Sequence, residues 1–259
     1  MKKYVVVTDL DSTLLDHAAY SWDKAQEALD LLKTKKIPII FNSSKTLAEL
    51  QQLKEEMGNI DPCVSENGSV ICWSGSWGEA EMVETPGINR DGILQILSKL
   101  KDKFKFIGFS EWTSQDLSEE TGLTESQASQ ALDRQGSEPI KWLGTDEELK
   151  KFRLVLAQKN LHLLKGGRFY HVMGMVDKSE IIERLKEVYG AIYQSEICVI
   201  ALGDSANDKL MLELADIAVV IPASKGENLK LERTDYILAA DKGPRGWNTE
   251  MIKIIKEGE

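Results

Sequence analysis

Short apolar runs recur along this chain, separated by stretches whose apolar residues return at helical spacing. Residues 4–8, Tyr-Val-Val-Val-Thr, are β-branched and unalternated, which predicts a strand buried on both faces. Residues 22–35 then put Ala25, Ala28, Leu29 and Leu32 on one helical face. A strand over 37–41 and a helix over 46–57 follow, the helix opened by a capping box of Thr46 and Glu49. A third strand covers 62–65, and Asn67-Gly68 predicts a tight hairpin into a strand over 69–73. This β-α-β-α-β opening predicts a parallel sheet with helices on its faces.

The middle of the chain reads differently. A helix over 89–101 and a strand over 104–109 precede a polar stretch in which Gly122 divides two short helices. A strand over 140–143, a helix over 145–159 with a Thr145/Glu148 capping box, and a Gly166-Gly167 hairpin between strands 161–165 and 169–173 complete a small α+β unit. The last third returns to the first pattern: helix 178–189, strand 197–202, helix 207–214, short strands 217–221 and 236–238, and a closing helix 247–255. The arrangement implies an α/β core formed by residues 1–82 and 176–259, interrupted by an inserted α+β domain over 83–175.

Composition narrows the function. The 259 residues carry 32 Lys and Arg against 42 Asp and Glu, a formal net charge of −10, which argues against general binding of nucleic acid or an anionic membrane. No apolar run approaches the roughly 20 residues of a membrane span. Asp9 and Asp11 interrupt the first apolar run, so a secretory signal is not expected and the expected location is the cytoplasm. Cys63, Cys72 and Cys198 show no metal or disulfide spacing and read as reduced thiols.

Four elements carry candidate chemistry. Asp9 stands where the first strand ends and Asp11 follows two residues later, at the end of an open α/β sheet where sites form. Such a pair offers a nucleophile and a general acid/base, though the same residues also form turns. After the second strand, Ser43-Ser44-Lys45-Thr46 offers hydroxyls and backbone N–H groups to a phosphate; Ser43 is the candidate donor and Ser44 fits a helix cap. Lys178 near a helix start offers a cation to an anionic site. Asp204 and Asp208 follow the apolar strand 197–202, and hard oxygen donors of this kind suit Mg²⁺.

In this order the four elements resemble the haloacid dehalogenase superfamily of phosphohydrolases. The resemblance implies a Rossmann-like parallel-sheet core. It implies Asp9 as nucleophile, Asp11 as general acid/base, and Ser43 with Lys178 as the phosphate-positioning pair. It also implies a Mg²⁺ site built from Asp9, Asp11 (through its carbonyl), Asp204 and Asp208. Ser12 departs from the Gly common at that position. The insertion resembles a type IIB cap. The strings 43–46, Gly166-Gly167-Arg168-Phe169-Tyr170-His171 and Gly243-Pro244-Arg245-Gly246-Trp247-Asn248 resemble the mannosyl-3-phosphoglycerate phosphatase family, and Glu66-Asn67-Gly68 fits it too.

That resemblance implies a phosphorylated sugar-acid substrate, a place in compatible solute biosynthesis, and substrate contacts from Ser44, Lys45, Glu66, Asn67, Gly167, Arg168, His171 and Arg245. Arg168 beside a glycine turn suits the glycerate carboxylate, or else is a surface residue. His171 falls on the other strand face and also fits a packed interior; Trp247 fits a sugar platform or the core. Glucosyl-3-phosphoglycerate, sucrose 6-phosphate and a phosphomutase reaction are the alternatives that share these core motifs. A receiver-like phosphoacceptor would be shorter and lack the insertion.

Overall fold

The computed structural model describes residues 3–73, 81–224 and 226–258. In chain order the elements are β1 (Lys3–Thr8), α1 (Gln26–Lys35), β2 (Ile39–Asn42), α2 (Leu47–Met57), β3 (Cys63–Ser65), β4 (Val70–Trp73), β5 (Met82–Glu84), α3 (Arg90–Ser98), β6 (Phe106–Gly108), α4 (Ser114–Thr121), α5 (Glu125–Leu132) and β7 (Ser137–Trp142). Then come α6 (Asp146–Ala157), β8 (Leu161–Lys165), β9 (Tyr170–Gly174), α7 (Ile181–Tyr193), β10 (Ile197–Gly203), α8 (Lys209–Leu214), β11 (Ile217–Val220), β12 (Ile237–Leu238) and α9 (Gly243–Glu257). The chain divides into two units, the first Met1–Ser43, Asp61–Val64 and Asp177–Glu259, the second Ser44–Ile60 and Ser65–Val176.

In the first unit the strands run in the order β12-β11-β10-β1-β2-β3. Each neighbouring pair is parallel. Val5, Val6, Val7, Val199, Ile200, Ala201 and Leu202 are fully buried, as a parallel sheet covered on both faces requires. β1 and β10 lie side by side in register, Thr8 opposite Leu202, so their carboxyl ends finish together.

The second unit holds an antiparallel sheet in the order β6-β7-β9-β8 and takes in α2 and residues 65–82 besides the stretch read as the insertion. Ile93 and Leu97 of α3 and Phe152 and Leu156 of α6 pack with Ile140, Leu163 and Val172 on one face of that sheet. Phe109, Leu117, Ala128 and Ala131 form a second small core around α4 and α5, with Trp112 and Phe169 against it.

Several local expectations are corrected. Residues 66–69 join β3 to β4, with positive φ at Glu66 (52°), Asn67 (58°) and Gly68 (101°), two residues more than the tight Asn-Gly turn suggested. The hairpin after β8 closes with Gly166 N–H donating to the Phe169 carbonyl at 2.9 Å, so Gly167 and Arg168 stand at its centre rather than Gly166 and Gly167. Helix α7 starts at Ile181, leaving Lys178 in the turn before it, where Ser179 N–H donates to the Asp177 carboxylate at 2.7 Å. Helix α9 starts at Gly243, four residues ahead of the expected 247, with Pro in its first turn.

Candidate active site

Strand pairing delivers the carboxylates. Asp9, the residue after β1, donates its N–H to the Leu202 carbonyl at 2.9 Å, which ties it to the end of β10, two residues from Asp204. Thr8 Oγ1 donates to the Asp9 carbonyl at 2.7 Å, and the fully buried Trp247 donates its indole N–H to Thr8 Oγ1 at 3.0 Å. Trp247 is therefore a core residue that steadies the Asp9 backbone, and it fills the position from the second turn of α9. Lys178 Nζ lies 2.5 Å from Asp9 Oδ1 and 2.6 Å from Asp208 Oδ1, with the lysine fully buried. Asn42, at the end of β2, donates its side-chain amide to the Lys178 carbonyl at 2.8 Å and so holds the turn that carries the lysine.

Asp208 fixes the other side. Its Oδ2 accepts from the N–H groups of Asp204 (3.1 Å) and Ser205 (3.0 Å). A side chain at Gly203 would put its Cβ 2.5 Å from Asp208 Cβ, so only glycine admits the tucked carboxylate. Ser12 adopts φ 67°, which explains why glycine is at home there; its hydroxyl lies 3.1 Å from His17 Nδ1. Asp11 bridges to Leu15, and Ser43 is buried with its N–H on the Val64 carbonyl at 2.9 Å.

The charges explain one another. Burial pushes Asp9 well above the ordinary carboxylate range; Lys178 opposes this, while Asp208, Asp204 and Asp11 add to it. Burial, then Asp208, pushes Asp204 up to about 7, against the pull of Lys178. Burial works against the Lys178 ammonium, but Asp208 and Asp9 outweigh it and hold the amine above its usual value. One cation thus serves a site with more negative charge than it can balance.

The sequence-derived contacts in the second unit separate into committed and open groups. Glu66 is fully buried, and its carboxylate accepts from Gln135 N–H (2.8 Å), Gly136 N–H (3.2 Å) and the Ser137 hydroxyl (2.6 Å), so its first task is to hold that turn. The Lys45 carbonyl accepts from Glu66 N–H at 2.8 Å, Ser44 and Lys45 are half-buried, and Asn67 is buried. Gly167 and Arg168 are exposed, and Arg168 Nη1 donates to the Thr121 carbonyl at 2.5 Å. His171 is half-buried, and burial, then the nearby Arg134 charge, push its imidazole down to about 3. In the first unit, Arg245 is exposed on α9. The sequence reading passed over Asn42, Thr8 and Arg134, because their roles come from partners remote in the chain.

A model of haloacid dehalogenase-like hydrolases matches residues 6–237, which takes in the whole carboxylate constellation. The chain belongs to this family. Two phosphatases named for both glucosyl-3-phosphoglycerate and mannosyl-3-phosphoglycerate are similar along their full lengths. The one from Methanococcoides burtonii is 34% identical, with 98% of this chain and 97% of the relative covered. The one from Persephonella marina is 30% identical, with 98% of each covered. The fold also matches a solved sugar phosphatase of subclass IIB of the superfamily, with a TM-score of 0.66 at 16% identity over 99% of both chains. The protein is a phosphoric monoester hydrolase of the haloacid dehalogenase type.

The hydrolase offers donors that suit a hard divalent cation. Asp9, Asp204 and Asp208 each bring one carboxylate oxygen within 4.8 Å of the others. The upward displacement of Asp9 and Asp204 is what such a donor set shows when charge is left unbalanced, so the residues fit a metal ion. Asp9 and Asp204 would hold it directly. Asp208, whose oxygens serve Lys178 and two backbone N–H groups, would fix the frame around it.

Proposed function

We propose that this hydrolase is a Mg²⁺-dependent phosphatase of a hexosyl-3-phosphoglycerate, releasing phosphate from the mannosyl or the glucosyl ester by way of an aspartyl-phosphate on Asp9. The observation that carries the chemistry is the buried Asp9–Lys178 pair beside Asp204, with Asp11 two residues on. The choice of ester follows the names borne by relatives that match end to end.

Asp9 is the nucleophile. Its Oδ attacks phosphorus while the bond from phosphorus to the sugar-acid oxygen breaks, and Asp11 gives that leaving oxygen a proton. Asp11 then takes a proton from water, the water oxygen attacks phosphorus, and the bond to Asp9 breaks. Lys178 favours the ionised form of Asp9 against the effect of burial and balances phosphate charge, and the Ser43 hydroxyl donates to a phosphate oxygen. When bound, Mg²⁺ supplies positive charge toward the phosphate oxygens. A two-step division explains why two carboxylates are needed.

Phosphate release across a panel tests this reading: mannosyl- and glucosyl-3-phosphoglycerate, sucrose 6-phosphate and hexose monophosphates, each with Mg²⁺. The expected result is a kcat/KM for one or both phosphoglycerate esters at least tenfold above the rest. A preference for sucrose 6-phosphate or a hexose monophosphate overturns the substrate assignment and leaves the phosphatase chemistry standing.

A further inference from the structure

The buried part of strand β1 is apolar until its last residue. Val5, Val6, Val7 and Thr8 are all fully buried, and a valine would suit the strand equally well at position 8. The Thr8 hydroxyl is instead the middle of a relay. It accepts from the Trp247 indole N–H at 3.0 Å and donates to the Asp9 carbonyl at 2.7 Å. The Asp9 N–H is held by the Leu202 carbonyl at 2.9 Å, so both backbone polar groups of Asp9 are committed. In a buried chain of this kind each bond polarises the next, which stiffens the peptide that carries the Asp9 side chain.

The residue after Trp247 acts on the same segment from its far end. Helix α1 has no side-chain cap of its own. Ala28, fully buried in its first turn, donates its N–H to Asn248 Oδ1 at 2.8 Å. An asparagine oxygen on a first-turn N–H is what an N-cap residue normally supplies, and here it comes from 220 residues along the chain. Between the two anchored points lie residues 9–27, with Asp9, Asp11, Ser12 and Thr13 at their start. A Cβ on Gly243, the first residue of α9, would lie 3.7 Å from the Ser12 carbonyl oxygen, so α9 meets the segment there as well. The helix is closely seated, since a Cβ on Gly246 would fall 1.9 Å from the Asp241 carbonyl oxygen. All of these residues belong to the first unit.

We propose that the start of α9 is a clamp that positions the nucleophile. Trp247, through Thr8, and Asn248, through α1, hold the two ends of the segment bearing Asp9 and Asp11. They are positioning residues that act through Asp9 rather than on substrate. This role rests on the reading of Asp9 as the nucleophile. In-line attack depends on the placement of the attacking oxygen, and a displacement of about 1 Å costs roughly a hundredfold in rate.

The test uses p-nitrophenyl phosphate with Mg²⁺, a substrate that asks only for phosphoryl transfer. Two quantities are read: kcat/KM, which reports attack on phosphorus, and the inhibition constant of inorganic phosphate, which reports ground-state binding. Thr8→Val keeps the shape and removes the hydroxyl; Trp247→Phe removes the N–H donor. Each should lower kcat/KM by roughly ten- to a hundredfold and move the phosphate constant by less than about threefold. Thr8→Ser, which keeps the hydroxyl, should recover most of the loss. Because the two residues act as one relay, Thr8→Val combined with Trp247→Phe should lose little more than either alone, whereas independent packing damage multiplies. Asn248→Ala should lower kcat/KM several-fold, and Asn248→Asp, which keeps an acceptor oxygen, should recover it. If Thr8→Val or Trp247→Phe does not fold, as judged by circular dichroism, the two Asn248 variants carry the test. Wild-type kcat/KM in Thr8→Val and Asn248→Ala, a phosphate constant that weakens in step with kcat/KM, or multiplying losses in the double variant overturns the proposal. An inactive Asp9→Asn in the same assay then leaves the nucleophile standing. Wild-type activity in Asp9→Asn removes the nucleophile first, and the clamp falls with it.

Discussion

At the scale of single residues, the site holds more negative charge than its own lysine balances, and that imbalance has a measurable sign. Asp204 stands at about 7 against an ordinary 3.8, so the fold favours its protonated form. The metal-free protein should therefore lose stability as pH rises from about 4 to about 7, the interval in which the folded state holds a proton the unfolded chain has released. Asp204→Asn removes that loss. At pH 8 without metal the variant should be more stable than wild type by about 1–3 kcal/mol in urea denaturation, with a flatter pH dependence. Equal stabilities across that range would show that Asp204 carries no such burden. The residue scale is also where the sequence was most and least legible. Asp9, Asp11, Lys178 and Asp204 could be singled out because an ionisable residue just past an apolar strand or ahead of a helix stands out locally. Arg134 and Asn42 could not, since an arginine in a polar stretch and an asparagine after a strand look ordinary until remote partners bury them.

At the scale of elements, β1 and β10 matter most, because their register brings Asp9 and the 203–208 turn to one sheet end. Gly203 is the narrow point of that turn. Gly203→Ala should push Asp208 out of its place, lowering stability by about 1–3 kcal/mol and phosphate release by at least tenfold. Wild-type turnover in that variant would mean that the turn tolerates a displaced Asp208. Elements with local signals were legible: the Thr46/Glu49 and Thr145/Glu148 capping boxes form, and Gly122 ends α4 at φ 79°. Those shaped by remote contacts were not. The 66–69 connection is wider than Asn-Gly suggests, and the buried Glu66 carboxylate in it is held by residues 135–137. Strand β6 stops at Gly108, where Glu111 accepts from its N–H at 2.6 Å and starts a 3-10 turn that periodicity cannot foresee.

At the scale of the whole molecule, the parallel α/β core and the second α+β unit were both legible from the change of pattern along the chain, whereas the grouping of α2 and residues 65–82 with the second unit depends on contacts that no local pattern encodes. Among the described residues no helix is long and apolar enough to cross a membrane. The chain's net charge of −10 makes a cation at the carboxylate cluster a stabilising ligand for the folded state. Mg²⁺ at a hundred times its dissociation constant should add about 2.7 kcal/mol to unfolding stability, read as a rise in Tm over protein in chelator. The same chelator should abolish phosphate release, and Asp204→Asn should show no such rise. A Tm indifferent to Mg²⁺ in wild type would remove the metal from the account.

A covalent intermediate on Asp9 can be trapped. Turnover stopped in acid, followed by borohydride reduction and peptide mapping, converts an aspartyl-phosphate to homoserine at the residue that carried it. Homoserine should form at position 9 alone in wild type and not at all in Asp9→Asn, which should also release no phosphate. Trapping at another carboxylate, or undiminished phosphate release by Asp9→Asn, would contradict that intermediate.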